Sequence, residues 1–274
     1  MMELSKKDGH THTPFLNKKS NETIDMYIEK AIDLGLQEYT IAEHAPLVAN
    51  INLPPHYHFI DTSDITAIKE ETRRVMAKYG NKIKIRRGFE VDYFSAHETD
   101  TRQFLKANKD WIDEIILAVH FIKSDSGEIL PIDYSAEYLK KHFENMLSDP
   151  QLFYKNYFDT VAQSVEAIFG IDVPIRIGHL GLVRKFQKPL KLPDYSDDIY
   201  KSIGDILQMM QTRGYQLEFN TSGLRDVTNG ETYPQYDIIL AAKDMGLDIV
   251  YGSDAKSSDE VGMNFFDLDN VLRQ

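Results

Sequence analysis

Short runs of apolar and β-branched residues alternate along the chain with longer amphipathic stretches. Strands that alternate with helical patterns in this way are typical of βαβ units and a parallel sheet. The pattern therefore predicts an α/β fold in which the strands form a barrel or near-barrel. The seven predicted strands are 6–13, 38–45, 82–93, 114–122, 175–182, 215–223 and 247–255.

The stretches between the strands have helical periodicity. In 22–35, for example, Ile24, Ile28 and Ala31 share one face, and Gly35 suits a C-terminal cap. The same pattern, ending each time at a glycine, predicts helices over 61–80, 149–170, 197–214 and 236–246.

The loops 47–61 and 185–196 are the longest and are rich in proline, so we expect them to cover a site. A chain of 274 residues is commonly one barrel domain, and no repeat or flexible linker interrupts it. We therefore expect a single catalytic domain over 1–274.

The composition narrows the classes of partner. A net charge of −12 repels nucleic acid and anionic membranes, so an anionic substrate must be drawn in by local cations or metals. The sequence has no cysteine, no signal-like apolar run near its first residues and no apolar stretch long enough to span a membrane. We expect a cytoplasmic protein that acts on a small molecule.

Each predicted strand carries polar residues of catalytic or metal-binding type near its C-terminal end. Singly, each has an ordinary explanation, such as a hydrogen-bonded histidine or a helix cap. In parallel β/α barrels, however, the C-terminal ends of the strands converge on the active site. The residues are His10, His12, Glu43, His44, Glu90, Asp92, His120, His179, Asn220 and Asp254.

Without cysteine, a cluster of histidines and carboxylates suits zinc, manganese or iron. A carboxylate can bridge two such ions, and a metal pair activates water for hydrolysis, notably of phosphate esters. Hydrolysis is therefore the leading reaction type.

Motifs spread from residue 8 to residue 255 resemble the polymerase and histidinol phosphatase (PHP) family, specifically its monofunctional histidinol-phosphatase branch. The resemblance implies a distorted (β/α)7 barrel, similar to the amidohydrolases. It also implies hydrolysis of L-histidinol phosphate to L-histidinol and phosphate, a step of histidine biosynthesis. The motifs are DGHTHT, EHAPL, GFEVDY, VHF, RIGHLGLVRKFQ, EFNTSGLR, GETYP and VYGSDA.

The resemblance also implies the metal ligands. One ion would be held by His10, His12, Glu90 and Asp254, and Glu90 would bridge to a second ion held by His120 and His179. The family's third site expects three histidines, of which only His44 is present; Lys18 and Lys256 stand at the other two positions.

A protonated lysine has no lone pair for a metal, so a third ion is not expected to bind well. Two ammonium groups carry the charge of one divalent ion and can donate hydrogen bonds to phosphate oxygens. Our hypothesis is that Lys18 and Lys256 replace the third metal beside a two-metal centre. The rival interpretation is that both lysines point to solvent or mark a site that has lost activity.

In this hypothesis Asp254 accepts the proton of the attacking water. Arg225, together with the two lysines, neutralises the phosphoryl oxygens. Weaker candidates for that role are Arg184 and Lys185. The carboxylates that could bind the cationic amine and imidazole of the substrate are Glu43, Asp92 and Glu218. The aromatic residues that could line its pocket are Phe15, Tyr93 and Phe121.

Two alternatives stay open. The first is a PHP-type hydrolase of another small phosphoester, in which His56 and His58 of the long loop contact that substrate or supply a substitute ligand. The second is a metal-binding protein whose catalysis is impaired.

Overall fold

Seven parallel strands form the main sheet in the part of the chain that the computed structural model describes, residues 6–16, 21–48, 51–57 and 60–265. Their order in the sheet is β1-β2-β3-β4-β7-β8-β9. A separate antiparallel pair is formed by β5 and β6. The strands are β1 (Lys7–Thr11), β2 (Glu38–His44), β3 (Lys84–Asp92), β4 (Glu114–Ala118), β5 (Phe121–Lys123), β6 (Ile129–Pro131), β7 (Ile175–Ile177), β8 (Gln216–Asn220) and β9 (Ile249–Gly252).

The first and last strands meet and nearly close the sheet into a barrel. The backbone N–H of Asp254 donates to the carbonyl oxygen of His10 at 2.8 Å, and that of His12 donates to Ala255 at 2.9 Å. These few bonds bring the segment after β9 beside the end of β1. The expected (β/α)7 barrel is confirmed.

Amphipathic helices surround the sheet. In α8, Ser196 accepts a hydrogen bond from Ile199 N at the start, Gly214 caps the end in a left-handed conformation, and Ile203 and Met210 are buried. No described helix is long and apolar enough to cross a membrane. The helices are α1 (Ile24–Asp33), α2 (Asp64–Tyr79), α3 (Glu98–Asn108), α4 (Ala136–His142), α5 (Glu144–Ser148), α6 (Pro150–Glu166), α7 (Gln187–Leu190), α8 (Asp197–Arg213), α9 (Ser222–Arg225) and α10 (Tyr236–Asp244).

The predicted strand 114–122 is wrong in its second half. The barrel strand β4 ends at Ala118, and Phe121 begins β5, which pairs with β6 outside the barrel. Because Val119, Phe121 and Ile122 are all buried, the apolar run continues without marking where the chain leaves the barrel. The pattern also missed the helices α3, α4, α5, α7 and α9.

A buried ionic network lies inside the barrel beneath the strand ends that carry the candidate site. Glu114 accepts from Lys7 Nζ at 2.6 Å and from Arg176 Nη2 at 2.9 Å, and Arg176 Nη1 donates to the carbonyl oxygen of Gly9 at 2.6 Å. Burial would raise the pKa of Glu114, but the charges of Arg176 and Lys7 outweigh it and lower the pKa to about 2. The network thus anchors β1 immediately before His10.

Candidate metal centre and active site

Glu90 lies at the centre of a cluster of histidines at the C-terminal end of the barrel. It stands near the end of β3, and its side chain is buried. The surrounding histidines belong to β1, to the segment that follows it, to β2, and to the segments after β4 and β7, so residues remote in sequence converge as expected. Imidazole nitrogens within 3.6 Å of the Glu90 carboxylate belong to His10, His12, His44, His120 and His179.

Three of these imidazoles are oriented by a second carboxylate bound at Nδ1. The pairs are His10 with Glu218 at 2.6 Å, His12 with Glu43 at 3.0 Å and His120 with Asp92 at 2.7 Å. A carboxylate at one ring nitrogen fixes the ring and leaves Nε2 for a metal ion. The expectation that these carboxylates bind the cationic groups of a substrate is not met, because histidines occupy them.

Asp254 joins the cluster from the segment after β9. Its Oδ1 lies 3.0 Å from His12 Nε2 and accepts a hydrogen bond from Lys256 Nζ. Its backbone has a left-handed φ of 52°, a conformation that is costly for most residues and concentrates at functional sites. Asp254 therefore does not serve merely as a helix cap.

Buried donor atoms in the cluster fit metal ions. Among the described side chains, His10 Nε2 and Glu90 Oε2 are buried and have no hydrogen-bond partner. The sets of three residues whose ligand atoms all lie within 4.8 Å of one another are His10, His12 and Glu90; Glu90, His120 and His179; and His44, Asp92 and His120. The first set contains three of the four residues expected at the first site, without Asp254, and the second set contains the three expected at the second site. Their nitrogen and oxygen donors suit zinc, manganese or iron.

The electrostatics of the cluster favour cations. Burial would lower the pKa of His120, yet the charges of Asp92 and Glu90 raise it to about 9. Burial would likewise raise the pKa of Glu90, which the imidazoles, His44 and His10 foremost, hold well below its ordinary value. For His44 burial dominates and lowers the pKa to about 4, so this ring stays neutral and can act as a ligand.

A cavity of about 280 Å³ opens above the cluster. Arg225 lines it, with Nη2 donating to the backbone carbonyl of Asp254 at 3.1 Å and Nε 3.3 Å from Glu260. Arg225 Nη1 is buried without a hydrogen-bond partner among the described residues, so it can bind an anion in the cavity. Lys185 and Lys256 also line this cavity.

Other predicted site residues lie elsewhere. Arg184 is not among the residues that line the cavity; its guanidinium donates to Tyr154 and to the carbonyl oxygen of Pro193. Phe15, Tyr93 and Phe121 line neither this cavity nor its neighbour. Lys18 and His58 lie outside the described residues.

Sequence reasoning missed three residues near the site. Tyr57, Asp133 and Tyr134 line a second cavity of about 480 Å³, to which His56 also contributes. Asp133 follows β6, which is too short to give a periodic pattern. Tyr57 lies in the long loop that was expected to cover a site.

The chain is similar to known proteins over almost its whole length. The sequence model of the PHP domain family matches residues 8–222. A histidinol-phosphatase from Bacillus subtilis is 34% identical over 94% of this chain and 96% of its own length. A probable histidinol-phosphatase from Deinococcus radiodurans is 26% identical over 97% of this chain and 92% of its own length.

Solved structures show the same fold. A candidate histidinol phosphatase from Listeria monocytogenes superposes with a TM-score of 0.87 at 33% identity, over 94% of this chain and 98% of that one. The histidinol phosphate phosphatase of Lactococcus lactis was solved with zinc, L-histidinol and phosphate. It superposes with a TM-score of 0.73 at 21% identity, over 99% of this chain and 94% of that one.

Proposed function

This chain belongs to the PHP domain family, and on that premise we propose that it is a metal-dependent phosphomonoesterase that converts L-histidinol phosphate to L-histidinol and phosphate. The observation that carries the proposal is the arrangement of five imidazoles around the buried Glu90 carboxylate, beside a cavity lined by cationic side chains. The full-length similarity to the Bacillus subtilis histidinol-phosphatase supports the substrate.

The clusters of buried histidines and carboxylates support an assignment of the metal ligands. We assign His10, His12, Glu90 and Asp254 to one divalent ion, and Glu90, His120 and His179 to a second. When bound, such ions lower the pKa of water and polarise phosphoryl oxygens. Glu43, Asp92 and Glu218 hold the histidine rings in place.

The remaining chemistry falls to side chains around the cavity. Arg225 Nη1 and the Lys185 ammonium bind the phosphoryl oxygens and offset their charge. Asp254 takes up the proton of the attacking water at its carboxylate, which the Lys256 ammonium holds in place. The half-exposed Lys256 side chain reaches the cavity from the segment after β9 and is placed to donate to the substrate phosphate.

Charge balance supports two ions rather than three. Five carboxylates contact the clustered histidines in the described part of the chain: Glu43, Glu90, Asp92, Glu218 and Asp254. Two divalent ions together with the Lys256 ammonium would neutralise them. Partial desolvation beside the cavity would lower the pKa of Lys256, but the charge of Asp254 outweighs this effect and raises it, so this lysine stays protonated.

The proposal is tested by metal content and phosphate release measured together. The wild type should bind two ions per chain and release phosphate from L-histidinol phosphate, with activity lost on chelation and restored by zinc, manganese or iron. The double variant Lys18→His, Lys256→His restores the family's histidines and should gain a third ion. An inert wild type whose double variant gains both the ion and activity would contradict the lysine-for-metal assignment.

A further inference from the structure

The carboxylate of Glu260 lines the cavity above the metal centre, although Glu260 belongs to neither of the two assigned metal sites. It ends a short 3₁₀ turn, Ser258–Glu260, in the segment after β9. Beside a site for an anionic phosphoryl group, a carboxylate repels the ligand and should weaken its binding. A carboxylate at this place is favourable only if another effect outweighs that repulsion.

Both oxygens of the Glu260 carboxylate face N–H groups. Oε2 accepts a hydrogen bond from the backbone N–H of Lys256 at 2.8 Å, and Oε1 lies 3.3 Å from Nε of Arg225. The bond to Lys256 fixes the carboxylate, so that Oε1 stays beside the guanidinium. Glu260 therefore connects the segment after β9 to Arg225, the last residue of α9.

The guanidinium of Arg225 is held at two of its three nitrogens. Nε faces Glu260, and Nη2 donates to the backbone carbonyl oxygen of Asp254 at 3.1 Å. Because the guanidinium is planar, these two contacts also fix the direction of Nη1. Nη1 is buried and has no hydrogen-bond partner among the described residues, so it is the nitrogen left for an anion in the cavity.

The turn that carries Glu260 is itself anchored to α1 and to the segment before it. Glu22 accepts a hydrogen bond from the backbone N–H of Ser258 at 2.8 Å and another from the Ser258 hydroxyl. The Tyr27 hydroxyl of α1 donates to the carbonyl oxygen of Lys256 at 2.8 Å. A carboxylate on a turn fastened in this way can orient Arg225 before a ligand arrives.

We propose that Glu260 is a positioning residue for the phosphoryl group and acts through Arg225, whose guanidinium it holds so that Nη1 is available to a phosphoryl oxygen. The inference rests on the proposed function, because it takes Arg225 to bind that oxygen. Without Glu260 the long Arg225 side chain gains rotamers, and binding of phosphate must restrict them again. This preorganisation outweighs the repulsion between the carboxylate and the phosphate.

Binding of inorganic phosphate to the metal-loaded protein, measured by calorimetry, gives the sign of the effect. Glu260→Ala should raise the dissociation constant about 10-fold, the lower end of the range for losing an orienting partner, because the lost repulsion offsets part of the effect. Glu260→Gln keeps one oxygen as an acceptor and should bind phosphate with an intermediate affinity. If the carboxylate only repels the ligand, both variants should bind phosphate more tightly than the wild type, which would overturn the inference.

A double-mutant cycle shows whether Glu260 acts through Arg225. In the Arg225→Ala background, adding Glu260→Ala should no longer raise the dissociation constant for phosphate, because the group that Glu260 orients is absent. If the effects of the two substitutions multiply instead, Glu260 acts by another route and the inference is wrong. The matched control is Asp259→Ala, since Asp259 is the neighbouring exposed carboxylate and lines neither cavity. This control should bind phosphate as the wild type does.

Metal content and hydrolysis separate this role from the proposed function. Glu260→Ala should retain two ions per chain, and its kcat/KM for L-histidinol phosphate should fall about 10-fold. A wild type that binds phosphate with the help of Glu260 but hydrolyses no ester would remove the proposed function and keep the positioning role. An active wild type whose affinity for phosphate does not depend on Glu260 would keep the function and overturn the inference. Loss of metal in Glu260→Ala would also overturn it, because Glu260 would then support the metal sites rather than Arg225.

Discussion

At the scale of single residues, the centre depends most on Glu90, because its two oxygens face five imidazoles and it belongs to both assigned metal sites. Glu90→Gln keeps the size of the side chain but removes its charge. We expect loss of bound metal, measured by elemental analysis, and a decrease in kcat/KM larger than the roughly 10- to 100-fold usual for a partner that only orients a ligand. The control variant Glu128→Gln, at an exposed position, should retain both the bound metal and the activity. If Glu90→Gln also retained them, the assignment of Glu90 as a metal ligand would be contradicted.

Gly252 makes room for the pair formed by His10 and Glu218. A Cβ at this position would overlap Glu218 Oε1 and lie 2.9 Å from His10 Cβ. Gly252→Ala should therefore displace Glu218 from the His10 ring and weaken metal affinity and kcat/KM about 10- to 100-fold. Metal titration and phosphate release measure the two effects.

The matched control is Gly204→Ala, because a Cβ on Gly204 in α8 meets nothing within 4 Å. Alanine there should keep full activity and stabilise the helix by up to about 1 kcal/mol. Equal activity in the two alanine variants would show that the close approach at Gly252 does not matter.

At the scale of elements, the junction of β1 and β9 depends on Asp8. Its carboxylate accepts from the backbone N–H groups of Ser253 and Gly262, each at 3.0 Å. Asp8→Ala leaves these donors unpaired and should lower the free energy of unfolding by about 2–4 kcal/mol, measured by urea denaturation. Asp8→Asn, which keeps one acceptor, should lose less, and Asp205→Ala on the exposed side of α8 should be near neutral. A neutral Asp8→Ala would show that other contacts close the barrel.

The network of Glu114 with Lys7 and Arg176 predicts a pH-dependent part of the stability. The pKa of Glu114 is about 2 in the folded protein against an ordinary 4.5, so folding favours its ionised form. The resulting stabilisation is present above pH 4.5 and is lost as the pH falls from there towards 2. Glu114→Gln should cost about 3–5 kcal/mol at neutral pH, because it leaves two buried cations without their carboxylate.

Urea denaturation at a series of pH values measures this difference. The gap in unfolding free energy between the wild type and Glu114→Gln should shrink as the pH falls below 4.5. A gap that stays constant over this range would mean that the network does not depend on ionised Glu114.

The strands and the residues at their ends were predictable, because the period of an apolar run and its last polar residues are local features of the sequence. The side chains that each of these residues contacts were not predictable. The contact of His10 with Glu218 requires the order and register of β1, β8 and β9, which a single sequence does not reveal. Asp133 was missed because the hairpin of β5 and β6 leaves the barrel inside a continuous apolar run, so the segment after it had no predicted position.

At the scale of the whole molecule, a net charge of −12 contrasts with the cationic side chains at one cavity. Lys185, Arg225 and Lys256 gather at the C-terminal end of the barrel. Because surface charges farther away than about 10 Å are screened at ordinary salt, these local cations decide whether a phosphate ester enters. An acidic protein can therefore bind an anionic substrate without a basic surface.

The assigned ligands come from strands around the whole barrel, so a bound ion connects elements that are otherwise joined mainly through the sheet. His10 belongs to β1, Glu90 to β3, His120 and His179 to the segments after β4 and β7, and Asp254 to the segment after β9. An ion that binds only the folded state stabilises it by about 2.7 kcal/mol at a free concentration 100 times its Kd.

Chelation should therefore lower the Tm of the wild type, and zinc or manganese should raise it again. In Glu90→Gln neither treatment should change the Tm, and a wild-type Tm that does not respond to metal would argue that these residues pack together without holding an ion.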